Sequence, residues 1–487
     1  MRLTSQIIFP LSIFLHLSRG ASHVYLPVIV CSSLKPPAID GAEVVSMTTQ
    51  VTSSGGVEVC DINVYVTHGD AGDYVRIQTY LPLKGYNGRY QGLGGGGMMA
   101  GYFNLSGTAG AGFATGSTDA GRPNATGDDD TWADNAQLLT NFAYLSIHEM
   151  TVVGKALAKE FYGRPVQYSY WNGCSNGGRQ GYQAVQRYPT DYDGVLANAP
   201  AINWDRFAVS ELYPYLVEVE GNEFPSLCVW EAMTSAAVDA CDHIDGGKDN
   251  VINLPFKCHF DATSTIGQTA CNTTITLVHA RMWNEITRGP RDHKGNNGWA
   301  GLLPGTKFDS QGGAKPFNIA SAWVRAFVEQ DRNFNITSIP ARELYTVMNK
   351  SEVMYRHIIG GDNPDLSSFR DAGGKMLTWH GLADQLIPVY GTIHYRLRVE
   401  EMLGGNEAVN EFYRLFLAPG VDHCVGGNGA QPSDPFSLLM NWVENGTAPE
   451  MIPAKGDVGA RNLCLYPKDL IYSGQGDLAQ ASSWICT

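Results

Sequence analysis

The chain has 487 residues, 44% of them apolar and 17% charged, which supplies a sizeable core and excludes wholesale disorder. A net charge of −14 argues against nucleic acid and anionic membranes as partners, because both select a basic face. Ten cysteines are too few for a disulfide-built miniprotein but enough for five staples on a real core.

The chain opens with Arg2, an apolar run from Ile7 to Leu17, and then Ser18, Arg19, Gly20, Ala21 and Ser22. A basic start, a short apolar stretch and small residues describe a signal peptide over residues 1–20, cleaved near Gly20 or Ser22. The run is interrupted by Pro10 and is too short to span about 30 Å of hydrocarbon. Six N-x-S/T sequons, at Asn104, Asn124, Asn272, Asn335, Asn349 and Asn445, agree with a secreted, extracellular glycoprotein. In that compartment the cysteines read as disulfides rather than metal thiolates.

Strands are expected at 57–66, 74–81, Arg89–Leu93 and Phe113–Ser117, from alternation and β-branched content. Asn141–Tyr162 has helical apolar spacing, and Pro165 follows its end. Then come a strand at Val166–Trp171, a helix at Gly178–Tyr188 stopped by Pro189, and a strand at Gly194–Asn198. Past residue 365 the alternation resumes: strand Lys375–Trp379, a helix near Val389–Met402, strand Phe412–Leu417, and a helix near Pro435–Glu444. Such repetition predicts an α/β fold with a largely parallel sheet and helices on both faces. Residues 205–365 break the rhythm and carry Cys228, Cys241, Cys258 and Cys271. They read as a lid over the carboxyl edge of the sheet, where open α/β sheets place their sites. The catalytic domain would comprise 21–204 and 366–487.

Residues 173–177 read Gly-Cys-Ser-Asn-Gly, a G-x-S-x-G between a strand and a helix. That context is the elbow the motif requires, with Ser175 as nucleophile and the Asn176 N–H, at a helix start, as oxyanion donor. Capping of the helix is the bland alternative for Ser175. A serine needs a base, and the base an orienting carboxylate, which follow in the order acid, then histidine. Asp384 lies in the loop after strand Lys375–Trp379, and His423 in the loop after Phe412–Leu417. His380 precedes the acid and suits a packing or supporting role. Asp422 points differently from its neighbour His423. Cys174 precedes the serine and Cys424 follows the histidine; a bond between them would tie nucleophile to base, whereas separate partners would leave each a plain staple.

GCSNGGRQG, LTWHGLADQLIP, the VDHC ending and the CDxxDGxxDxVxxxP segment together resemble the fungal tannase and feruloyl esterase family. The resemblance implies an α/β-hydrolase fold with a lid domain, Ser175, Asp384 and His423 as catalytic residues, and a Cys174–Cys424 bond. It also implies structural Ca²⁺ on Asp242, Asp245 and Asp249 and on the carbonyls of Gly247 and Val251. Three carboxylates around a Gly-Gly turn are the oxygen donors that hard Ca²⁺ takes, although the loop is not an EF-hand. A Cys241–Cys258 bond beside that loop is expected.

GLGGGGMMAG at 92–101 lacks the G-K-S/T of a phosphate loop and instead suits a second oxyanion donor at Gly95 or Gly96. His148-Glu149 lacks the spacing of a zinc site. Trp283, Trp299, Phe317 and Trp323 are candidates for an aromatic acyl pocket, with core packing the alternative for each. Cys464–Cys486 and Cys31–Cys60 are plausible pairs, leaving Cys228–Cys271. The expectation is a secreted serine esterase acting on phenolic esters, feruloyl first and galloyl second, free or linked to polysaccharide. A peptidase or acyltransferase on the same triad and a non-enzymatic calcium-dependent binding protein are the rivals.

Overall fold

Gly55 and Gly56, with φ of 60° and 82°, turn strand β1 (Glu43–Ser54) into β2 (Val57–Thr67). Positive φ at both positions is what a two-residue hairpin needs to match the twist of its strands. The chain is described here by a computed structural model covering residues 24–122, 125–126, 128–296, 298–309 and 313–487. The expected signal peptide and the Asn124 sequon lie outside the described residues.

The hairpin begins a nine-stranded sheet. It continues with β3 (Val75–Pro82), β4 (Arg89–Leu93), β5 (Ala114–Thr118), β6 (Tyr168–Cys174), β7 (Gly194–Asn198), β8 (Lys375–Gly381) and β9 (Tyr413–Ala418). The spatial order is β1-β2-β3-β5-β4-β6-β7-β8-β9. Strands β5, β4, β6, β7, β8 and β9 pair in parallel, whereas β1–β2, β2–β3 and β3–β5 are antiparallel. The sheet is thus less uniformly parallel than the sequence suggested. Strand β1 is an edge strand rich in Ser and Thr and half exposed along its length, with only Val44 and Met47 packed against the core.

Helices α1 (Ser146–Tyr162), α2 (Asn176–Arg187), α4 (Tyr390–Leu403) and α5 (Pro435–Asn445) frame the sheet, whereas α3 (Trp204–Ser210) packs Trp204, Phe207 and Val209 into the core of the segment that follows β7. Side chains alternate across the parallel strands, so neighbours enter different cores. Trp171, Val195 and Met376 pack with Met150, Leu157 and Val399 of α1 and α4. Tyr170, Leu196 and Leu377 pack with Leu439 and Trp442 of α5. The long helix expected over 141–162 is divided: Ala136–Thr140 is α-helical, Asn141–Leu145 is a π-turn, and α1 follows.

Residues 205–365 run between β7 and β8 and form a third core, in which Trp230, Met233, Trp283, Trp323, Phe327 and Met348 are buried. Met98, Trp132, Phe142 and Ile387 from outside the segment join it. Two disulfides lie within the segment, Cys228–Cys271 and Cys241–Cys258. Cys31–Cys60, Cys464–Cys486 and Cys174–Cys424 make the remaining bonds, and no cysteine is free.

Candidate active site

Strand β6 ends at Cys174, helix α2 begins at Asn176, and Ser175 between them has φ 63° and ψ −125°. Such backbone costs a non-glycine residue about 1–3 kcal/mol and persists only where its surroundings enforce it. Here the Ser175 N–H donates to Asn198 O at 3.1 Å, and Ser175 O accepts from Arg179 N and Ala201 N at 3.0 and 3.1 Å. The flanking glycines are required by close approach. A Cβ on Gly173 would lie 2.4 Å from Gly177 O, and one on Gly94 would lie 2.5 Å from Gly177 Cα. The glycine loop and the elbow therefore pack backbone against backbone.

The π-turn explains how the elbow is propped from below. Its Phe142 and Ala143 carbonyls accept from the Arg179 guanidinium at 3.0 and 2.7 Å, while Arg179 Nε donates to Asn176 Oδ1 at 2.8 Å. Burial pulls the Arg179 pKa down to about 9. Asn176 Nδ2 donates in turn to Met99 O at 2.8 Å. The Asn176 side chain is thus fixed, and its backbone N–H is the first amide of α2, where a helix has no internal acceptor for it.

The two glycines proposed as second oxyanion donor are not equivalent. The Gly95 N–H donates to Gln180 Oε1 at 3.0 Å and is already used. This rules Gly95 out as a donor in this arrangement, because one amide proton cannot also serve an oxyanion. For Gly96 no acceptor is found among the described residues, and Gly96 borders the same cavity as Ser175.

Asp384 follows β8 and is buried, yet its carboxylate is held well below the usual range. Burial alone would raise it; the charge of His423 and hydrogen bonds from His380 and His423 outweigh that. Asp384 Oδ2 meets His423 Nδ1 at 2.8 Å and His380 Nε2 at 3.0 Å, and Oδ1 accepts from the Leu386 and Ile387 amides at 2.9 and 2.8 Å. His380 is fully buried and also contacts Thr392 Oγ1 at 2.8 Å. The His423 N–H donates to Gln385 Oε1 at 2.9 Å. Asp422 faces elsewhere, towards Lys307 at 3.3 Å.

Ser175 and His423 line one cavity of about 500 Å³, and the Cys174–Cys424 bond, with Cα atoms 6.1 Å apart, forms part of its wall. The other walls are Met99, Tyr102, Ala201, Trp204, Phe207, Glu211, Phe317, Ile319, Leu386 and Ile387. Of the four aromatics singled out in the sequence, Phe317 alone reaches this cavity. Trp283 and Trp323 are spent in the core, and Trp299 packs against Tyr390. Trp204, Phe207 and Glu211 were not foreseen, although their spacing of three and four residues places them on one helical face.

In the acidic loop, Asp242 accepts the Asp249 and Asn250 amides at 3.2 and 2.9 Å, and Asp249 Oδ2 accepts from Arg461. Asp245 is buried and its Oδ2 has no partner among the described residues. Burial, reinforced by Asp249 and Asp242, pushes Asp245 up to about 7. Among the described residues no three such groups close on one point as a ready-made cation cluster. A buried, unpaired carboxylate oxygen among further carboxylates is nevertheless the donor chemistry a hard cation fits.

Residues 60–487 match the family model described as "Tannase and feruloyl esterase". A "Probable feruloyl esterase" of Arthroderma benhamiae is 39% identical over 500 aligned residues, covering 94% of this chain and 93% of that one. A "Probable feruloyl esterase B-2" of Neosartorya fischeri is 31% identical, covering 85% and 83%. Among solved structures, tannin acyl hydrolase from Aspergillus niger superposes with a TM-score of 0.83 at 26% identity, covering 94% of each chain. Feruloyl esterase B from Aspergillus oryzae gives 0.82 at 26%, covering 93% of this chain and 98% of that one. The fold is that of the α/β-hydrolases, and the chain belongs to the tannase and feruloyl esterase family of carboxylic ester hydrolases.

Proposed function

We propose that this member of the tannase and feruloyl esterase family cleaves hydroxycinnamoyl esters, feruloyl esters of plant cell-wall polysaccharide above all, through an acyl-enzyme. The observation that carries the reading is one cavity of about 500 Å³ that Ser175 and His423 line together with mainly apolar and aromatic side chains. Ser175 Oγ attacks the ester carbonyl. Asp384 occupies His423 Nδ1, which leaves Nε2 to take the serine proton and return it to the leaving alcohol. The Asn176 and Gly96 amides receive the oxyanion. Water, activated by the same histidine, then releases the acid.

Residues 205–365 act in this reading as a lid that shapes the acyl pocket, since Phe207, Glu211, Phe317 and Ile319 come from it. Asp242, Asp245 and Asp249, with the Gly247 and Val251 carbonyls, would hold a structural Ca²⁺ that supplies charge balance to the loop. Secretion is supported by the five disulfides and by exposed sequon asparagines at 104, 272, 335 and 445. Among the described residues no helix is long and apolar enough to cross a membrane.

A second reading, hydrolysis of galloyl esters, is favoured by the likeness to a tannin acyl hydrolase. Turnover of methyl ferulate, methyl caffeate, methyl gallate and a simple acetyl ester tests both. The first reading requires ferulate to exceed gallate in kcat/KM, with Ser175→Ala abolishing both. Faster gallate turnover would replace it with the second, and full activity in Ser175→Ala would end both.

A further inference from the structure

Glu211 sits one residue beyond α3 and continues its helical backbone, with φ −62° and ψ −14°. It therefore shares a face with Trp204 and Phe207, and all three line the cavity that holds Ser175 and His423. Glu211 is 3% exposed, and its Oε2 has no hydrogen-bond partner among the described residues. A buried polar oxygen left unpaired is destabilising, and among the described residues no contact offsets it. Among the described residues the Trp204 indole N–H also has no partner. In a wall that also holds Met99, Phe207, Phe317, Ile319 and Leu386, unsatisfied hydrogen-bonding groups are what a ligand with polar ring substituents would complete.

Resting on the reading of this cavity as a phenolic acyl site, we propose that Glu211 hydrogen-bonds a ring hydroxyl of the acyl group and so sets a preference for hydroxylated over bare aromatic acids. Burial, and the negative charge of Asp384, push the Glu211 carboxyl well above its ordinary range. Both influences favour its protonated form, which can donate as well as accept a hydrogen bond. A site built to bond a substrate hydroxyl rejects the analogue lacking it far more strongly than an apolar pocket distinguishes sizes, because the buried partner is left unpaired.

The test compares methyl 4-hydroxycinnamate with methyl cinnamate, which differ by one hydroxyl, and uses p-nitrophenyl acetate as a ringless control. Wild type is expected to favour the hydroxylated ester by at least about tenfold in kcat/KM. Glu211→Leu should bring the ratio to about one, and should slow methyl 4-hydroxycinnamate more than methyl cinnamate or p-nitrophenyl acetate. Glu211→Gln, which still donates and accepts, should keep much of the preference. The proposal is overturned if wild type shows no preference, if Glu211→Leu keeps it, or if that variant slows acetate as much as the cinnamates, which would make Glu211 part of the triad's support. Should Glu211→Leu not fold, competitive inhibition of wild type decides: equal inhibition constants for 4-hydroxycinnamate and cinnamate refute the contact. Failure of the underlying reading is separate and would appear as no hydrolysis of any feruloyl or galloyl ester.

Discussion

Asp384 and Glu211 are two buried carboxyl groups beside one cavity, and their surroundings are opposite. Asp384, at the end of a sheet strand, receives two histidines and two backbone amides and is held ionised. Glu211, on the inserted segment, has an oxygen without a partner among the described residues, and burial shifts it towards the protonated form. The difference separates two tasks. The sheet end is organised before substrate arrives, as stabilising a developing charge requires. The inserted wall is left incomplete, as selecting a substrate requires.

The largest effect that could break this comparison is at the organised end. Asp384→Asn should lower kcat by about 10⁴ with little change in KM, since the imidazole loses its tautomer and its counter-charge; a loss below tenfold would mean that His423 is oriented by something else. Next is the disulfide pair. Replacing both Cys174 and Cys424 by Ala should cost about 2–5 kcal/mol of stability and also reduce kcat. Replacing Cys464 and Cys486 should cost stability alone, so equal activity losses from the two pairs would deny the first any special place. Removing Ca²⁺ by chelation should lower Tm by several degrees, corresponding to about 2.7 kcal/mol for a site saturated a hundredfold. A Tm unchanged by chelator, or lowered equally in Asp245→Asn, would remove calcium from that loop.

The smallest effect concerns pH. Asp384 is lowered from 3.8, so its contribution to stability is complete above that pH and is lost as pH falls through its folded value. Glu211 is raised from 4.5, so the native state binds an extra proton and loses stability as pH rises above 4.5. In melting curves the deficit of Asp384→Asn should shrink below pH 4, whereas the advantage of Glu211→Leu over wild type should grow as pH rises above 4.5. Parallel shifts in both would show that the two carboxyls are not in opposite environments.

The organised end was legible in the sequence because its chemistry coincides with strand ends and glycine punctuation. Gly173 and Gly177 mark the elbow, and Asp384 and His423 each follow a short apolar run. What escaped depended on contacts between distant segments. Nothing local says that Gln180 takes the Gly95 amide, or that His380 shares an oxygen of Asp384 with His423. Strand β1 was missed because Ser and Thr carry little apolar alternation, although Ser-Gly-Gly-Val at its end was a usable turn signal. Glu211 had a signal too: an acid in register with Trp204 and Phe207 on a helix that buries that face.

The Cys174–Cys424 bond joins positions 250 residues apart, which gives the chain a schedule. A ribosome delivers Ser175 early, with its strand and helix, but Asp384 and His423 emerge only in the last quarter of synthesis. The covalent link that seats the base against the nucleophile can form only after that, and only where an oxidant is available to remove two thiol protons and two electrons. On the proposed triad, full hydrolytic activity would be deferred to the finished chain under oxidising conditions. A truncated or reduced chain would carry the nucleophile without the clasp that completes it.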